Sequence, residues 1–210
     1  MKILIAVPTY ESIMPDTQKA IHYLTKHTFY ETGCYPDFDF IRGYATDAAR
    51  NRCVDVTKGR GFDYLLTIDN DVVLPEDALV NLLSHDEEVV LGYYAHRNSN
   101  GTYDGKTSIC KLGEHSFTQQ YTREELRALR ESGQYKIEIH GGGMGCALFK
   151  ASVFDKISFP WFRWYIYEDR HGTLSEDLYF CVKCERFGIK VYADTRVHCK
   201  HMFRYLQECD

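Results

Sequence analysis

The chain of 210 residues has no apolar run approaching the ~18 residues that a membrane span requires. It has no excess of basic charge either. Lys and Arg number 25 against 30 Asp and Glu, a formal net charge of −5. A nucleic-acid binder shows a concentrated basic surface, so nucleic acid is excluded as the expected partner. No G-x-G-x-x-G follows the first apolar run, which ends in Pro8-Thr9-Tyr10, so a Rossmann dehydrogenase is disfavoured. G-x-x-x-x-G-K-[ST] and G-x-S-x-G are also missing, which argues against a P-loop enzyme and an esterase of the usual sort. Neither an internal repeat nor a flexible linker interrupts the chain. One domain over residues 1–210 is therefore expected, or one module of a longer chain.

What is present suits a packed globular domain: 44% hydrophobic and 26% charged residues, enough to bury a sizeable core. Met1 to Val7 reads as a first buried strand rather than a signal peptide. The eight cysteines then read as reduced, packed thiols, and a cytoplasmic protein is expected. Apolar runs at 3–7, 38–41, 62–68 and 89–91 alternate with helical stretches. Those stretches run from Asp16 to about His27, from Thr46 or Asp47 to Val56, and from Pro75 to about Leu83. This alternation predicts an α/β domain with a largely parallel sheet. Residues 92–120 are polar and less regular, with a strand at 107–112. Thr122 with Glu125 three residues on predicts a capped helix to Arg130. A helix from Ser175 or Glu176 to about Phe187, closed by Gly188, precedes a last strand at 189–192.

Three constellations carry chemistry. Asp69-Asn70-Asp71 follows an apolar strand, and open α/β sheets bind ligands beyond the carboxyl ends of their strands. Two carboxylates there suit a divalent cation such as Mg²⁺ or Mn²⁺, although a solvated Asp/Asn turn has the same composition. Ser175-Glu176-Asp177 opens a helix, where Ser caps and acids favour the dipole. One acid is explained that way; the other, Asp177 before Glu176, is a candidate general base for a hydroxyl proton. His198-Cys199-Lys200-His201 follows the last strand and offers a metal or phosphate ligand, or a surface histidine pair. A zinc site of Cys181, Cys184, His198 and His201 is disfavoured. Its H-x-x-H spacing is too tight, and both cysteines lie in a helix where packing explains them. Gly141-Gly142-Gly143 and Gly145 either shape a turn or let backbone approach a substrate closely.

Taken in order, these segments resemble the nucleotide-sugar glycosyltransferases of the GT-A fold, family-2-like. The resemblance rests on Ile5-Ala6-Val7-Pro8-Thr9-Tyr10, Ala49-Arg50-Asn51, Leu66-Thr67-Ile68-Asp69-Asn70-Asp71, Gly143 to Phe149, Ser175 to Phe180 and Ile189 to His201. It implies a nucleotide-binding αβα sandwich with a central, mostly parallel mixed sheet. Residues 1–95 would form the nucleotide-binding half and 96–210 the donor-sugar and acceptor half. It implies that Pro8, Thr9, Tyr10 and Glu11 line the base pocket and that Arg50 lies near the nucleotide or its phosphates. Asp69 would touch ribose or metal beside Asn70, and Asp71 would be the principal metal carboxylate. His201, with His198 as substitute, would complete the Mn²⁺ or Mg²⁺ site. Gly143 would border the sugar or acceptor, and Trp161, Trp164 and Tyr165 would stack on sugar or pack at the rim. Asp177, with Glu176 second, would be the base of an inverting transfer. The implied donor is a nucleotide-diphosphate sugar of the UDP or GDP type, and the acceptor a glycan or other hydroxyl. The alternatives are a nucleotidyltransferase, whose basic Gly-rich phosphate loop is missing here, and a non-catalytic nucleotide- or carbohydrate-binding module.

Overall fold

One seven-stranded sheet forms because its inner runs, at 3–9, 64–68, 89–93, 146–150 and 191–198, send alternate side chains to two largely buried faces, while the flanking runs at 37–42 and 136–139 are more polar and exposed. The structure, a computed structural model, describes residues 1–10, 12–97, 103–113, 119–168 and 172–202. Its elements are β1 (Ile3–Thr9), α1 (Pro15–Thr32), β2 (Asp37–Arg42), α2 (Thr46–Gly59), β3 (Tyr64–Ile68), β4 (Val72–Val73) and α3 (Ala78–Leu83). There follow β5 (Val89–Tyr93), β6 (Ala95–Arg97), β7 (Tyr103–Cys110), β8 (Gln120–Thr122), α4 (Arg123–Glu131), β9 (Lys136–Ile139) and β10 (Gly141–Gly142). The chain continues through β11 (Cys146–Lys150), α5 (Val153–Lys156), β12 (Tyr165–Ile166), β13 (Thr173–Leu174), α6 (Glu176–Arg186), β14 (Val191–His198) and β15 (Lys200–His201).

The main sheet runs β2-β1-β3-β11-β5-β14-β9. β1, β2, β3, β5 and β14 share one direction, while β11 and β9 run against it. On one face Leu4, Ala6, Leu65, Leu91 and Phe149 pack with Val54 of α2, Leu126 of α4, Phe154 of α5 and Phe180 of α6. On the other, Ile5, Val7, Leu66, Val90 and Leu148 pack with Leu24 of α1 and Leu79 of α3. Each large apolar side chain buried this way contributes about 1.5–3 kcal/mol. The result is the expected α/β sandwich around a mixed sheet.

Local chemistry sets the helix ends. Pro15, rather than Asp16, opens α1 at its first turn, where a missing N–H costs nothing. Gly33, at φ +70°, closes it by donating its N–H to Phe29 O. Thr122 and Glu125 form the expected capping box on α4. The helix expected from Pro75 begins only at Ala78, because Pro75–Asp77 is spent on a turn closed by Ala78 N–H to Pro75 O. The polar middle, expected to hold one strand, supplies β6 and β7 of a second small sheet, which β10 of the glycine turn extends on one side of β7 and β8 on the other. The seven described cysteines are free thiols, and Cys181 and Cys184 sit in the core of α6. Among the described residues no helix is long and apolar enough to cross a membrane.

Candidate functional site

β1 and β3 end side by side, so the loops that follow them meet. Asn70 ties them together: its side-chain amide donates to Ser12 O at 2.8 Å and to Thr9 Oγ1 at 3.3 Å, and its backbone carbonyl accepts Met14 N–H. These loops form a cleft of about 410 Å³ lined by Pro8, Thr9, Tyr10, Tyr44, Thr46, Ala49, Asp69, Asn70, Asp71, Tyr94 and His201. Tyr10 stands exposed at its mouth, whereas Pro8 and Thr9 are buried at its base. Glu11 lies outside the described residues.

A second cleft, of about 610 Å³, opens beside it, lined in part by Tyr94, His96, Ser108, Gln120, Gly143, Asp177 and His201. The two share Tyr94 and His201. His201 reaches this junction because β15 pairs with β4 and sets His201 opposite Val72, one residue after Asp71. Met202 N–H also bonds Asp71 O at 2.8 Å. The His201 ring lies with Nδ1 3.0 Å from Ala95 O and Nε2 3.5 Å from Asp71 Oδ2. A carbonyl only accepts, so Nδ1 carries a proton, and in its neutral form the ring would turn a lone pair at Nε2 toward the carboxylate. Two acceptors facing each other suit a shared cation. Among the described residues no group of three or more His, Cys, Asp or Glu is gathered to hold a metal. A cation bound here would complete its sphere with water and substrate phosphates, the usual habit of Mg²⁺.

The glycine-rich turn stands between the clefts for a steric reason. A Cβ on Gly145 would lie 2.7 Å from Asp69 Oδ2 and 2.9 Å from the Tyr94 hydroxyl; one on Gly143 would collide with the same hydroxyl. The backbone approach that the glycines permit is to Tyr94. The Tyr94 hydroxyl accepts Gly145 N–H at 3.1 Å, and the ring meets His201 edge-on at 5.2 Å. Burial, helped by Asp69 and Asp177, holds the Tyr94 phenol well above its ordinary pKa. No motif marks Tyr94; the only sequence signal was the demand for close approach made by the glycines themselves.

Under this turn lies a buried ionic cluster. Arg50 of α2 is 2% exposed and touches Asp69 at 3.1 Å, Glu176 at 3.2 Å and Asp177 at 2.8 Å. Its guanidinium also donates to Met144 O. Burial opposes its charge, but the three carboxylates outweigh burial and keep it protonated. One cation cannot neutralise three carboxylates in a low-dielectric interior. The strain falls on the acids. Burial raises Asp69, against the pull of Arg50. Burial also pushes Asp177 up to about 8, with Arg50 opposing and Glu176 and Asp69 adding to the rise. Asp177 Oδ2 accepts Met144 N–H at 3.0 Å. Its Oδ1 lies close to Arg50 Nε but off the N–H axis, without an aligned hydrogen bond.

The sequence candidates thus separate. Pro8, Thr9, Tyr10, Asp69, Asn70, Asp71 and His201 line the first cleft; Gly143 and Asp177 line the second. Arg50 lines neither, because its guanidinium is used up on the three acids. Glu176 is buried against Arg50 and faces neither cleft. His198 stacks on Tyr93 at 4.8 Å and lines a different pocket beside α4, so it is not brought to Asp71. Trp164 is exposed, held by its backbone N–H to Asp47, and lines neither cleft. Trp161 is a core residue whose Nε1 donates to Phe154 O and Ile157 O.

Comparison with solved structures finds the same fold at low identity. A197 from STIV is 16% identical with a TM-score of 0.62, over 97% of this chain and 87% of that one. GalNAc-T7 with UDP, GalNAc and Mn²⁺ is 11% identical with a TM-score of 0.62, over 98% of this chain but only 44% of that longer one. A UDP-glucose pyrophosphorylase complexed with UDP-glucose is 9% identical with a TM-score of 0.51, over 96% of this chain and 92% of that one. Comparison with curated proteins returns no match. The sequence pattern of glycosyl transferase family 2 matches residues 39–158, more than half of the chain. That span carries Arg50, the Asp69-Asn70-Asp71 turn and the glycine turn, and together with the sandwich fold it makes the chain a member of glycosyl transferase family 2.

Proposed function

We propose that the chain transfers a sugar from a nucleotide-diphosphate sugar of the UDP or GDP type to a hydroxyl of a glycan or similar acceptor. Transfer depends on Mn²⁺ or Mg²⁺ and inverts the anomeric carbon. The observation that supports this most is the junction of the two clefts at Tyr94 and His201, with Asp71 on one side and Asp177 on the other. A reaction between two substrates needs two adjoining sites with a base on the acceptor side.

In this reading residues 1–95 supply the nucleotide side: Pro8, Thr9 and Tyr10 receive the base, and Asn70 keeps their loop in register with the Asp turn. Asp71 and His201, with Asp69 nearby, would hold the cation. Bound there, the cation supplies positive charge to the departing diphosphate oxygens. Residues 96–210 supply most of the second cleft. Asp177 takes the proton of the acceptor hydroxyl as that oxygen bonds to the anomeric carbon and the bond from that carbon to the diphosphate oxygen breaks. Arg50 positions Asp177 and Asp69 without touching substrate. Tyr94 separates the clefts and fixes the glycine turn.

The test is a screen of UDP-, GDP- and dTDP-sugars for binding and slow hydrolysis with Mn²⁺, followed by Asp177→Asn in the presence of an acceptor. Donor binding is expected to survive the substitution while transfer stops. Release of pyrophosphate instead of a nucleoside diphosphate would mark nucleotidyl transfer, and transfer at the normal rate by the variant would remove Asp177 as the base.

A further inference from the structure

On the sheet face opposite Tyr94, a pocket of about 480 Å³ is lined by Tyr93, Arg123, Glu124, Arg127, Arg130, Glu131 and His198. It takes no part in the proposed transfer. Arg123, Arg127 and Arg130 stand at i, i+4 and i+7 on α4, so they share one helix face. Arg127 is engaged by Glu131 at 2.7 Å, and the neighbouring acid Glu125 is engaged by Lys111 and the Thr122 backbone. Among the described residues, Arg123 and Arg130 have no ion-pair partner. With Glu124 the only other acid of the lining, the pocket keeps a net positive charge in a chain whose total is −5.

Two further facts indicate that the arginines converge rather than point away. Burial lowers the His198 pKa, and the positive charges of Arg123, Arg130 and Lys200 lower it further. Burial raises the Tyr93 phenol, and the same two arginines pull against that rise. Arg123 also occupies the first position of α4, the end where the helix dipole disfavours a cation. The floor beneath them is flat, with the His198 ring nearly parallel to Tyr93 at 11°.

We propose that this pocket is a binding site for a phosphoryl group, held between Arg123 and Arg130 over the His198–Tyr93 stack. Guanidinium forks match phosphate oxygens, and the volume leaves room for the organic part of a small phosphorylated ligand. A soluble phosphate ester and the phosphate headgroup of a lipid present the same chemistry, so the experiment takes both. Inorganic pyrophosphate is titrated into the metal-free protein in EDTA by calorimetry, while the His198 imidazole resonance is followed by NMR. Sedimentation with phosphatidylglycerol vesicles, against phosphatidylcholine vesicles, forms the second arm.

The expected result is saturable binding that shifts the His198 signal. The Arg123→Gln/Arg130→Gln double variant should bind at least about ten-fold more weakly, with an unchanged unfolding midpoint. Arg130→Lys, which keeps the charge and loses the fork, should bind between the wild type and the double variant, and Asp71→Asn should retain all of the binding, which separates this pocket from the donor cleft. Binding confined to the phosphatidylglycerol vesicles, with the same loss in the double variant, assigns the phosphoryl group to a lipid. No binding in either arm, or binding that the double variant leaves intact, overturns the proposal.

Discussion

Asp177 sits in the first turn of α6 with its carboxyl directed at a cleft and its other contacts made with a buried arginine and a backbone N–H. Its displacement to about 8 from an ordinary 3.8 has two consequences. The folded state holds this proton more tightly than the unfolded chain does, so the group stabilises the fold fully at low pH. That contribution is lost as pH rises from about 4 to about 8. The urea midpoint of the wild type should therefore fall relative to that of Asp177→Asn between pH 5 and 8; a wild type that gains on the variant contradicts the assignment. A base must also be ionised to act, so transfer should climb with pH toward about 8 and then level. Arg50 is the counterpart. Arg50→Met removes the one cation among three carboxylates and should cost about 3–5 kcal/mol in urea unfolding at pH 7.

The acids of this site were legible because polar triplets after an apolar strand and before a helix are conspicuous in a one-dimensional string. The task of Arg50 was not. Glu176 and Asp177 lie more than a hundred residues away from it, and only the packing of α2 against the glycine turn unites them. Tyr94 and the remoteness of His198 from Asp71 escaped for the same reason: the face on which a strand residue emerges depends on register.

At the scale of elements, the strands and caps follow from local pattern. The buried run of β1, the Thr122–Glu125 capping box and the Gly188 stop after α6 were all visible in sequence. The sheet of β6, β7 and β8 was not, since its strands are only partly buried and carry mixed polar residues that weaken the alternation. The glycine turn is the element with the sharpest consequence. Gly145→Ala places a methyl against Asp69 and Tyr94, which must shift, at a cost on the order of 1–3 kcal/mol. Metal-dependent donor affinity should drop in this variant while circular dichroism stays native. Unchanged affinity would mean that Asp69 has no bearing on the donor. The β4–β15 ribbon makes the second element-scale prediction. His201→Ala keeps the strand pairing but removes the nitrogen facing Asp71, so Mn²⁺ affinity should fall about 10- to 100-fold in a metal titration.

At the scale of the molecule, the sandwich supplies two adjoining clefts along one edge of a sheet whose five co-directional strands end there. On the proposed function, an acidic chain with this geometry would repel the donor diphosphate unless a cation intervened. Arg50, which touches Asp69 of the first cleft, is already committed to carboxylates, which sharpens that need. The most direct measurement is therefore calorimetric binding of the nucleotide-diphosphate sugar selected by the screen, with Mn²⁺, with EDTA and with Asp71→Asn. The account predicts saturable binding by the wild type in Mn²⁺, and loss of that binding both on chelation and in the variant. Binding that persists equally in EDTA, or in Asp71→Asn, would contradict it.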